Sequence, residues 1–68
     1  MKLSARNLLK GKVLDVKEGQ IMAKVKVDLG GGNIVSSLIS VEAVKDLDVK
    51  VGDDIGVLIK ATSVMLAK

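Results

Sequence analysis

A chain of 68 residues has room for one small domain, and with no Cys and no His it lacks both a disulfide framework and the usual zinc ligands. Hydrophobic residues make up 49% of it, none of them aromatic, and the mean hydropathy is +0.41, so burial falls to small aliphatic side chains. The net charge of +3 allows an anionic partner without demanding one, and no apolar run approaches the length of a membrane span.

A lone core in a domain of this size contributes no more than about 3–5 kcal/mol. With disulfides and zinc excluded, the apolar composition points to a protomer that completes its core, or covers its edges, against copies of itself. The start, "MKLSARN", lacks the apolar stretch of a signal peptide, and a cytoplasmic location is expected.

In chain order, Ser4, Arg6 and Asn7 form a compact polar cluster where a small domain usually frays. The first strand is predicted over 11–17 and a tight turn over 18–20. From Ile21, residues Ala23, Val25, Val27 and Leu29 share one face, while Met22, Lys24, Lys26 and Asp28 take the other, which is the cleanest period-two run in the chain. Three glycines and Asn33 suit positive φ and predict a hairpin, followed by a third strand over "NIVSSLI". The period then changes: Ser40 can cap, Glu42 falls in the first turn, and Val41, Val44 and Leu47 lie three apart, predicting one short helix. A turn at 52–54 leads to a fourth strand through Ile55, Val57, Ile59 and Ala61, and "TSVMLAK" is expected to add a brief fifth strand. The fold class is therefore all-β with one short helix, a small OB-like five-stranded barrel forming a single domain over 1–68.

Few motifs carry chemistry. "LGGGN" lacks the Lys-Ser/Thr and following helix of a phosphate loop and reads as the hairpin turn. Without His or Cys, Ser–His and Cys–His pairs are impossible, and Asp53–Asp54 read as solvated turn carboxylates, so no enzyme is expected. A nucleic-acid-binding OB module would rely on aromatic stacking platforms, which this chain does not have. "IKATSVM" gathers Lys60, Thr62 and Ser63 at a strand end. One cation and two hydroxyls there suit an oxyanion held by hydrogen-bond donors, as do Ser4 and Arg6 at the other end of the chain; the alternative is that the hydroxyls cap turns and the cations face water.

"SARNLLKGKV", "LGGGNIVSSLIS" and "VKVGDDIGVLIKATSVM", at this spacing and total length, resemble the molbindins, small Mop-like molybdate-binding proteins. The domain also occurs in molybdate-responsive regulators and transporter ATPases. The resemblance implies an OB-like barrel assembled as a homohexamer, a trimer of dimers, that binds molybdate or tungstate at subunit interfaces for storage or homeostasis. Neither catalysis nor an organic cofactor is implied, and no residue coordinates the metal directly. It also implies that Ser4, Ala5 and Arg6 match one set of ligands and that Lys60, Ala61 and Thr62 match another. Ser40 matches a hydroxyl from the neighbouring subunit; where family members often carry a second hydroxyl three residues later, this chain has Ala43. Gly19, Gln20 and Ser37 are candidates for a second anion site. Leu8 and Leu9 would anchor the polar tail. The rival functions are a nucleic-acid-binding module and a purely structural assembly subunit.

Overall fold

The computed structural model describes residues 7–68. The elements run β1 (Asn7–Glu18), β2 (Met22–Gly30), β3 (Asn33–Ser40), α1 (Val41–Leu47) and β4 (Asp54–Ile59), followed by a 3₁₀ turn, Ala61–Ser63. The strands form one antiparallel sheet in the order β3-β2-β1-β4.

The alternation in β2 does what its pattern dictates. Ala23, Val25 and Val27 are buried beneath Val13, Val44 and Val49, while Lys24 and Lys26 point to solvent. Leu29 packs on this core from the rim, whereas Ile21, outside the strand, is 75% exposed. Every buried side chain among the described residues is Val or Ala, so the core is thin.

β1 organises the sheet by dividing its length between two neighbours. Asn7–Lys12 pair with β4, and Lys12–Glu18 pair with β2, so that Lys12 is the one residue in both ladders. Between Val13 and Asp15 the register shifts, leaving Leu14 as an extra residue. Such a bulge bends and twists the strand, which lets its two halves serve different neighbours. Just before it, Gly11 permits the close approach: a Cβ there would sit 2.5 Å from Val27 Cγ1 and 2.7 Å from the Asp28 carbonyl oxygen.

The turns follow their chemistry. Gly30, Gly31 and Gly32, from the end of β2 through the hairpin turn, all adopt positive φ, where a side chain would be strained. Ser40 caps α1, its Oγ accepting from the Ala43 N–H at 3.0 Å. α1 ends at Asp48, whose φ of 52° is left-handed and whose N–H donates to the Lys45 carbonyl. In the turn before β4, the Asp53 carboxylate accepts from the Lys50 N–H at 2.9 Å, which makes it a local structural group.

Two expectations change. The first strand starts four residues earlier than its alternation suggests, because Asn7–Lys10 gain a neighbour in β4. The fifth strand expected over 62–68 is absent among the described residues. Ala61–Ser63 turn instead, and Val64–Lys68 continue without strand pairing, with Met65 and Leu66 91% and 94% exposed. An alternating sequence supplies a strand's faces, but a strand also needs a partner for its backbone.

Candidate functional site

The polar residues expected to meet an anion come from the two extremes of β1. At its first residue, Asn7 pairs with Ile59, the last residue of β4. The Asn7 side-chain amide donates to the Ile59 carbonyl at 3.1 Å in a part-buried setting. Ser4, Ala5 and Arg6 lie outside the described residues.

From Ile59 the chain enters the 3₁₀ turn through Lys60, which is extended (φ −63°, ψ 138°) and exposed. Ser63 N–H donates to the Lys60 carbonyl at 2.8 Å, and Val64 N–H to the Ala61 carbonyl at 3.4 Å. The N–H groups of Ala61 and Thr62, at the start of the turn, have no acceptor within it, as geometry requires of a first turn. Lys60 Nζ, the Thr62 hydroxyl and these two N–H groups thus make an exposed set of donors. Such a set can satisfy an anion's oxygens directionally.

Ser40 belongs to the other extreme. It pairs with Met22 at the start of β2, and the neighbouring Ala23 pairs with Glu18 at the end of β1. From Asn7 to Glu18 the strand contour is ~36 Å at the usual rise per residue. Lys60 thus adjoins the first rung of β1 and Ser40 the rungs at its far end, at opposite ends of the β1 ladders. Ser40 instead shares a cleft of about 370 Å³ with Gln20, Ile21, Val41, Glu42 and Lys45. Its Oγ is occupied as an acceptor by the helix cap, but a hydroxyl still has its proton to donate.

The residues proposed for a second anion site are divided as well. Gly19 closes the β1–β2 turn, its N–H donating to the Met22 carbonyl at 2.8 Å, and Gln20 faces the cleft with Ser40. Ser37, paired with Val25, lines a different and largely apolar groove with Ile39, Ile55 and Val57. Leu8 and Leu9 tie the chain start to β4 through their rungs with Leu58 and Val57, not through burial: they remain 56% and 40% exposed. Among the described residues, no group of His, Cys, Asp or Glu is arranged to hold a metal ion. No described helix is long and apolar enough to cross a membrane.

Comparison with known proteins converges on one family. The TOBE domain matches residues 3–66, nearly the whole chain. The chain belongs to the TOBE domain family. Within it, this TOBE chain is 53% identical over 66 residues to a probable molybdenum-pterin-binding protein of Haemophilus influenzae, covering 97% of this chain and 96% of that one. Its fold is similar to that of a molybdate-binding protein from Sporomusa ovata, with a TM-score of 0.93 and 37% identity over the full length of both chains. It is also similar to the cytoplasmic molybdate-binding protein ModG, solved with molybdate bound, with a TM-score of 0.90 and 38% identity over 96% of this chain and 46% of that one. The molbindin-like character implied by the sequence motifs is thus established at the level of family and fold.

One residue was noticed in the sequence without a role. Asn7 stands in the polar cluster, yet its partner is 52 residues away, and only the β1–β4 register reveals it.

Proposed function

We propose that this TOBE chain binds molybdate or tungstate reversibly at junctions between copies of itself, as an intracellular store or buffer in the cytoplasm, without catalysis. The observation that carries the reading is the donor set of Lys60, Ala61 and Thr62 at the end of β4, in a chain that superimposes over its whole length on a molybdate-binding protein. Both ions are tetrahedral dianions whose oxygens accept hydrogen bonds. Lys60 and Arg6 supply charge, and Ser4, the Ala5–Arg6 backbone, the Ala61 N–H and Thr62 supply direction.

Self-association belongs to the same reading. Ser40 and Lys60 attach to opposite ends of the β1 ladders, which supports a reading in which a neighbouring copy contributes the Ser40 hydroxyl. A homohexamer built as a trimer of dimers would multiply such junctions, with Gly19, Gln20 and Ser37 serving a second class of site. The nucleic-acid alternative has no observation in its favour: Asp15, Asp28 and Asp54 pair with Lys26, Lys12 and Lys12 across the strands, interleaving the lysines.

The test is titration calorimetry with molybdate, tungstate, sulfate and phosphate on protein freed of oxyanions, with sedimentation in parallel. Saturable binding of the two larger anions by an oligomer, weakened at least about tenfold by Lys60→Ala, is expected. Equal responses to all four anions, or binding by a monomer, would overturn it.

A further inference from the structure

We propose that Asn7 is a positioning residue that sets the Lys60 turn for anion binding; this rests on the function proposed above. The Ile59 carbonyl that accepts from the Asn7 amide belongs to the same peptide unit as the Lys60 N–H. A peptide unit is planar, so a hydrogen bond to its oxygen restrains the whole unit, the Lys60 N–H and Cα included, where the chain leaves β4. The next constraint downstream is the Ser63 N–H, which closes the turn on the Lys60 carbonyl at 2.8 Å. Lys60 is thus gripped on both sides, through the carbonyl before it and through its own.

The grip sits where the ladder would otherwise fray. Among the described residues, Asn7↔Ile59 is the last rung of β1–β4, and everything from Lys60 onward is exposed. Exposed end rungs open readily, and an end that opens cannot hold donors in a fixed arrangement. A side-chain amide at the first residue of β1 adds a bond at that point. It also links the segment that follows Arg6 in the chain to the one that contains Lys60.

The role is tested with Asn7→Leu, which keeps the approximate shape and removes the donor without adding charge, and with Asn7→Ala as a second neutral deletion. Amide exchange is measured first, without anion. Ser63 reports on the turn, and Gly52, whose N–H donates to the Val13 carbonyl at 2.8 Å, reports on the body of the fold. Exchange about tenfold faster at Ser63 with Gly52 unchanged is expected, and a similar loss of molybdate affinity by calorimetry at unchanged sedimentation. Unchanged Ser63 exchange overturns the proposal. A parallel acceleration at Gly52 overturns it too, because Asn7 would then support the whole fold, and so does unaltered affinity despite a loosened turn. Failure of the unmodified chain to bind molybdate would remove the functional reading, while the anion-free exchange would still decide whether Asn7 grips the turn.

Discussion

Gly11 is the position least able to accept a side chain, since a Cβ would collide with Val27 and with the Asp28 backbone. Gly11→Ala is expected to cost about 1–3 kcal/mol in urea unfolding, because the obstacle includes β2 backbone, which cannot rotate away. Asp48 is the converse case. It holds a left-handed φ of 52° at the helix end, so Asp48→Gly should stabilise by about 0.5 kcal/mol in the same assay, the exposed contact with Lys50 counting for little. Ser40→Ala should cost ~1 kcal/mol through loss of the cap, and under the proposed function should also weaken molybdate binding. These roles differ in how visible they are beforehand. The Ser40 cap follows from residue type and position, whereas the obstacle at Gly11 and the partner of Asn7 exist only once distant strands are in register.

Among the elements, β2 is the most legible, because one face buried and one solvated is what alternation means. The hairpin glycines and the capped helix announce themselves for similar local reasons. β1 was only partly legible: its first residues become a strand because β4 lies alongside, and the extra residue Leu14 interrupts the period. Residues 62–68 mislead for the opposite reason, their alternation suggesting a strand for which the described residues provide no neighbour. The bulge offers a direct test. Deleting Leu14 would leave Asp15 opposite Lys26 and Val16 opposite Val25 in an unbroken ladder, but would remove the bend by which β1 serves both β2 and β4. The expected result is loss of cooperative thermal unfolding by circular dichroism, and an intact transition would show that the bulge is dispensable.

At the scale of the whole molecule, a thin core coexists with much uncovered apolar surface. Ile21, Leu38, Leu47, Val51, Met65 and Leu66 are all more than 60% exposed, a poor surface for a chain that remains alone in water. If copies cover one another, stability depends on protein concentration. The melting temperature should rise across a hundredfold increase in concentration, and a constant value would argue for an autonomous monomer. The family and the fold class could be reached from sequence motifs spread along the chain. The resemblance also implied that Ser40 comes from a neighbouring copy; what the motifs could not supply is which end of β1 each neighbouring strand accompanies.

Under the proposed function, each copy would give one portion of a junction and receive another. Chains carrying Lys60→Ala and chains carrying Ser40→Ala are then defective in different portions, and each type alone forms only impaired junctions. Co-assembled at equal proportions and at random, they would restore about a quarter of junctions to full composition, because either defect can fall on the side that does not use it. Two weak binders mixed together would bind better than either one.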